Sequence, residues 1–113
     1  MKNAVVFGGS GFIGSHVADH LSGLGYRTTI FDVVASPWLG PSQVMIVGDI
    51  LDADVVTSAV EGADVVYNFA GLADLNQALD KPLETAGLNI VGNLNVMEAC
   101  RINGVGRFIY AST

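Results

Sequence analysis

Three glycines spaced three apart, Gly8, Gly11 and Gly14, carry the strongest chemical signal in this 113-residue sequence. They sit where the apolar run Ala4-Val5-Val6-Phe7 passes into an amphipathic stretch that begins near Phe12. Each has a mechanical reason. The tight turn favours the backbone freedom of Gly8. A bare Gly11 lets a pyrophosphate approach the main chain, and Gly14 lets the following helix lie close against its strand. The N–H groups in the first turn of that helix have no intrahelical acceptors, so they face the phosphates. A carboxylate completes the pattern. Asp32 ends the run Arg27-Thr28-Thr29-Ile30-Phe31-Asp32, 18 positions beyond Gly14, where it can accept hydrogen bonds from ribose hydroxyls. It would repel a 2′-phosphate, so the spacing points to NAD rather than NADP.

Other reactive side chains have plainer readings. His16 and His20 are four apart on one helix, but no His-Glu-x-x-His pattern or third ligand accompanies them, and no metal site is expected. Cys100 reads as a small core residue of a long helix. Asp52 and Asp80 read as helix caps.

The elements that must hold these residues alternate. Lys2 to Phe7 is a continuous apolar strand, as expected of one covered on both faces. Phe12 to Leu24 is a helix with Ile13, Val17, Leu21 and Leu24 along one face, ended by Gly23 and Gly25. A second strand runs to Asp32, and a loop with two prolines spans residues 35–41. Val44 to Val47 forms a third strand, Asp52 starts a short helix through Val60, and Val65 to Ala70 forms a fourth strand. After a connection over residues 71–81, a long helix starts with Asp80 as cap and Pro82 in its first turn, and runs to about Ile102. Arg107 to Ala111 is a fifth strand. Strands alternating with helices give an α/β fold, a Rossmann-type doubly wound parallel sheet with strand order 3-2-1-4-5. The full dinucleotide fold has a second mononucleotide half, so residues 1–113 read as the first part of a longer protein, one NAD-binding domain.

Composition narrows the class. Half the residues are hydrophobic, 14% are charged, and the formal net charge is -6. That acidic balance argues against nucleic acid or an anionic membrane as partner. No apolar run approaches the ~20 residues of a membrane span. A single cysteine excludes an internal disulfide, and with a strand starting at Lys2 there is no room for a signal peptide. A cytoplasmic protein is expected.

Six motifs fall in order: Phe7 to His16, Gly48-Asp49-Ile50, Phe69-Ala70-Gly71, Lys81-Pro82-Leu83-Glu84, Asn89 to Asn95, and Arg107 to Thr113. Together they resemble the NAD-dependent epimerase/dehydratase family, the extended short-chain dehydrogenases that act on nucleotide sugars. Within it the chain is most similar to UDP-glucose 4-epimerases, over essentially its whole length. The resemblance implies that Phe12 and Ile13 line the pyrophosphate with the glycines. It implies that Asp49 holds the adenine amino group, helped by the Ile50 N–H. Phe69, Ala70 and Gly71 would run beneath the pyrophosphate and nicotinamide ribose, and Asn89 would help position the cofactor. Thr113 matches the catalytic Ser/Thr that hydrogen-bonds the sugar hydroxyl undergoing oxidation. Two positions depart from the 4-epimerase pattern: Ala73 stands where a lysine is expected, and Asn68 where a histidine is. The family's Tyr-x-x-x-Lys, base and pKa-lowering partner, is absent from these residues, so they are expected not to catalyse hydride transfer alone.

The resemblance also implies a homodimer built on the long helix, where Leu83, Ile90, Leu94 and Met97 give more apolar surface than one covering face needs. An unprotected sheet edge or face predicts self-association. Two other functions compete with the cofactor portion of a nucleotide-sugar enzyme: a non-catalytic NAD(P)-sensing module, and a related NADP-dependent carbonyl reductase.

Overall fold

In β1 (Asn3–Phe7) every residue from Ala4 to Phe7 is buried, and alternate side chains enter different cores. The computed structural model describes residues 2–71 and 79–111. Val5 and Phe7 face one side, where Phe31, Val66 and the helical residues Val56, Val60, Val96, Ala99 and Cys100 meet them. Ala4 and Val6 face the other side, against Ile30, Val65, Ala18 and Leu21. The rings of Phe7 and Phe31 pack at 4.8 Å between centroids. Burying such a side chain contributes about 1.5–3 kcal/mol, so these alternating strands are the main stabilising element.

The partners of β1 are β2 (Arg27–Asp32) and β4 (Val65–Asn68). Outside them lie β3 (Gln43–Val47) and β5 (Arg107–Tyr110). All four pairings are parallel, and the order is the expected 3-2-1-4-5. One face of the sheet carries α1 (Phe12–Gly23). The other carries α2 (Ala53–Ala59) and α4 (Asn93–Asn103), which follows α3 (Pro82–Ala86) and a π-helical segment (Gly87–Gly92). No helix among the described residues is long and apolar enough to cross a membrane.

Four local expectations are corrected. The buried stripe of α1 is Gly14, Ser15, Ala18 and Leu21, while Ile13 and Leu24 are exposed. The helix axis lies so near the sheet that small residues fill the contact. The strand expected through Ala70 ends at Asn68, because the Asn68 side chain takes the Ala70 N–H in a local turn. Lys81, not Asp80, occupies the cap position before Pro82, and it makes no side-chain cap bond. The single long helix is interrupted by the π-helical turn at residues 87–92. Asp52 does cap α2, its side chain accepting the Val55 N–H at 3.3 Å.

Candidate functional site

The order of the sheet makes β1 the strand from which the chain winds in opposite directions, toward β2 and β3 on one side and β4 and β5 on the other. At such a switch point the loops beyond the strand ends diverge and leave a crevice. Here a cleft of about 260 Å³ opens beyond the carboxyl ends of the strands. Gly8, Gly11, Asp32, Ile50, Phe69, Ala70 and Gly71, all singled out from sequence, line it together. So do Gly48, from the Gly48-Asp49-Ile50 motif, Phe31, which precedes Asp32, and Val33 and Leu88, to which the sequence reading gave no role.

The glycine turn is held from three sides. Gly8 has φ of +78°, and its N–H donates to the Phe31 carbonyl at 2.8 Å. A Cβ there would stand 2.8 Å from the Ala70 nitrogen and the Phe69 carbonyl carbon, so the exits of β1 and β4 touch only because Gly8 has no side chain. A Cβ at Gly14 would overlap the Gly8 carbonyl oxygen. Gly11 differs. Its backbone is ordinary extended chain and the nearest atom to an added Cβ is 3.4 Å away, but it lines the cleft, where a side chain would take ligand space.

The first helical bond runs from the Ser15 N–H to the Gly11 carbonyl at 2.9 Å. The N–H groups of Phe12, Ile13 and Gly14 therefore have no carbonyl within α1. The side chains of Phe12 and Ile13 are exposed and turn to a separate groove with His16, Val17, His20, Leu21 and Tyr67. Only the backbone of these two residues belongs to the helix start.

Among the described residues lining the cleft, Asp32 is the one polar side chain. Its Oδ2 accepts the Ser10 N–H at 3.1 Å and its Oδ1 the Val33 N–H at 2.7 Å. A carboxylate has about four acceptor directions, so acceptors remain for hydroxyls of a ligand. The Ser10 hydroxyl donates to the Val34 carbonyl at 2.7 Å. Ser10 thus ties the glycine turn to the chain leaving β2, a role invisible in the spacing of the glycines.

Asp49 is exposed and does not line the cleft; its Oδ1 accepts the Leu51 N–H at 2.9 Å, shaping the turn that places Ile50. Ile50 is buried, lines the cleft and packs into the core. Asn89 lies across from Gly71: a Cβ at Gly71 would overlap the Asn89 Oδ1. Thr113 lies outside the described residues, as does Ala73. Among the described residues no group of three His, Cys, Asp or Glu could hold a metal ion. Away from the cleft, burial pushes the Cys100 thiol up to about 11.

Known proteins share this fold. Residues 4–113 match the model of the family described as "NAD dependent epimerase/dehydratase family". The chain is similar to the 3 beta-hydroxysteroid dehydrogenase type 7 of Homo sapiens, 37% identical over 96% of this chain and 32% of that protein. The structure of a UDP-glucose 4-epimerase from Thermotoga maritima with UDP-glucose superposes with a TM-score of 0.91 at 31% identity, over 98% of this chain and 38% of that one. MoeE5 in complex with UDP-glucose and NAD gives a TM-score of 0.90 at 27% identity, over 98% and 36%. The chain spans about a third of the length of each of these proteins.

Proposed function

The chain belongs to the NAD dependent epimerase/dehydratase family, and on that premise we propose that residues 1–113 are the NAD-binding portion of an enzyme that passes a hydride between a nucleotide sugar and NAD. The observation that carries this reading is the joining of two features at one cleft. The Asp32 carboxylate, held by the Ser10 and Val33 N–H groups, stands beside a glycine turn that leads into the unpartnered N–H groups of α1. The residues fit a dinucleotide. Gly11 leaves ligand space where any side chain would fill it, the helix start suits a pyrophosphate, and the apolar lining of Val33, Ile50 and Leu88 suits a flat base.

Asp32 would accept ribose hydroxyls, and its charge would disfavour a 2′-phosphate. The Phe12, Ile13 and Gly14 N–H groups would bind the diphosphate. Phe69, Ala70 and Gly71 would form the floor under the nicotinamide ribose. Asp49 would act at the adenine end, and Asn89 would help position the cofactor. Bound NAD would supply a hydride acceptor, and Thr113 would hold the hydroxyl being oxidised. Turnover would also need the family's tyrosine base, so these residues would bind cofactor without reacting. In the longer protein the exposed Leu83, Ile90, Leu94 and Met97 would pair with a second subunit.

A second reading has its own support. Because a 3 beta-hydroxysteroid dehydrogenase is among the similar proteins, the substrate of the longer protein would be a steroid or another non-sugar alcohol, with the same cofactor portion. Titrating the chain with NAD and with NADP in a calorimeter tests the cofactor. Binding of NAD at least about 10-fold tighter than NADP is expected, since a hydrogen bond to a charged group is worth about 1.5–3 kcal/mol. Equal affinities, or tighter NADP, would remove the role given to Asp32. Offering UDP-glucose or a 3β-hydroxysteroid to the longer protein with NAD and identifying the product separates the two: an isomerised or dehydrated sugar nucleotide, formed without net NADH, supports the first, and a ketosteroid formed with one NADH supports the second.

A further inference from the structure

Asn68 ends β4 and is only 5% exposed, yet both ends of its side chain are engaged. Its Oδ1 accepts the Ala70 N–H at 3.0 Å, and its Nδ2 donates to the Oδ1 of Asn93 at 2.9 Å. Asn93 opens α4, and its own Nδ2 reaches the Met97 sulfur at 3.6 Å. Meanwhile the Asn68 carbonyl accepts the Ala111 N–H at 3.1 Å, and the Phe69 N–H donates to the Phe7 carbonyl at 2.8 Å. The main chain is therefore fixed in the sheet up to this point, and the side chain decides where it goes next.

The next three residues are the cleft floor. Phe69, Ala70 and Gly71 line the cleft, and the Phe69–Ala70 peptide is the group that Gly8 approaches too closely for a Cβ. Rotation of that peptide would push directly on the glycine turn. On the far side, Leu88 lines the cleft shortly before Asn93. Two residues beyond Asn93, the Asn95 side chain donates to the Ile50 carbonyl at 3.0 Å. The start of α4 thus grips both strand exits that flank the cleft.

An amide pair with Asn68 buried and Asn93 half-buried is a weak way to stabilise a core, since each hydrogen bond nets about 1 kcal/mol. What it supplies is direction. An apolar side chain at position 68 would fill the space and leave the Ala70 N–H unpaired. We propose that Asn68 and Asn93 are a positioning pair for the cofactor cleft, setting the Phe69–Ala70–Gly71 floor and docking α4 against it. The inference rests on the NAD-binding reading above, and it assigns neither residue a contact with the cofactor.

The test compares Asn68→Ala, Asn93→Ala, the double variant, Asn93→Asp and a control, Val60→Ala. Asn93→Asp keeps an acceptor for the Asn68 amide. Val60 is fully buried at the end of α2, away from the cleft lining. NAD affinity, the urea midpoint and exchange of the Ala70 amide proton are measured for each. Asn68→Ala and Asn93→Ala should each weaken NAD binding about 5–20-fold, the loss of one or two hydrogen bonds' worth of orientation. The double variant should be no worse than the weaker single, Asn93→Asp should stay within about 2-fold of the parent, and the Val60→Ala control should bind normally despite a lower midpoint. Faster Ala70 exchange should accompany only the alanine variants at positions 68 and 93. If Asn68→Ala does not fold, the contrast between Asn93→Ala and Asn93→Asp carries the comparison. Affinities that fall no further than in Val60→Ala would overturn the pairing role while leaving the cofactor reading standing. A parent chain that binds no NAD would remove the cofactor reading, and this inference with it.

Discussion

Gly11 and Gly14 belong to one turn, yet substituting them should break different things. A methyl group at Gly14 would collide with the Gly8 carbonyl, which is backbone and cannot swing aside. Gly14→Ala should therefore cost about 1–3 kcal/mol, as overpacking does, and lower the urea midpoint. Gly11 has φ of -79° and ψ of 178°, which any residue adopts. Gly11→Ala should leave the midpoint within about 1 kcal/mol of the parent while weakening NAD binding at least about 10-fold, because the methyl stands in the cleft. Cys100 makes a separate prediction. Its thiol, ordinarily near 9.0, is pushed up to about 11 by burial. The folded protein keeps a proton that the unfolded chain gives up. This stabilisation is complete below about pH 9 and is lost as pH rises through 11. Urea midpoints at pH 8 and pH 10.5 should fall more steeply for the parent than for Cys100→Ala; equal slopes would place the thiol in a water-like setting. Gly8, Gly14 and Asp32 were legible in the sequence because their constraint lies in local spacing. Ser10 and Asn68 were not, because their partners Val34 and Asn93 are 24 and 25 residues away and only the fold brings them near.

Helix α1 shows where periodicity misleads. Choosing large apolar residues gives the face Ile13, Val17, Leu21 and Leu24, but the sheet is too close for that face to dock. The contact is made by Gly14 and Ala18 with Leu21 beyond them. Ala18 is wholly buried, so Ala18→Leu should overpack the interface and cost about 1–3 kcal/mol. Ile13 is 60% exposed, and Ile13→Gln should stay within about 0.5 kcal/mol. Thermal or urea unfolding of the two variants checks the ordering, and the reverse ordering would restore the face read from sequence. The five strands were legible because each is a short run of apolar or β-branched residues bounded by turn residues. The end of β4 was not, because Phe69 and Ala70 continue the apolar run while the Asn68 side chain has already bent the chain away from the sheet. The start of α3 was misplaced by one residue because Asp80 is the better capping side chain, whereas Pro82 fixes the geometry and Lys81 takes the cap position.

On the scale of the whole molecule, the two sides of the sheet are unequally covered. Among the described residues, helices α2 and α4 close one core and α1 covers the other, with Tyr67 and Ile109 only partly buried there. Leu83, Ile90, Leu94 and Met97, along the segment from α3 into α4, are all exposed, and apolar surface that is contiguous favours association. Self-association is the expected result. Sedimentation velocity should show the weight-average coefficient rising across a range of about 5–200 μM, and a constant monomer value would show that these surfaces are not adhesive. The strand order could be read from the alternation of elements, since right-handed crossovers leave few arrangements. The cleft could be read only in outline: Val33 and Leu88 also line it, and nothing in their local sequence marks them. The central claim, that NAD lies in this cleft with its diphosphate at the start of α1 and its ribose on Asp32, is tested most directly by amide chemical shifts. Titrating the labelled chain with NAD should move the amides of Ser10, Phe12, Ile13, Gly14 and Val33 together on one binding curve, with the amides of α2 unmoved. Shifts confined to other surfaces, or none at millimolar NAD, would contradict it.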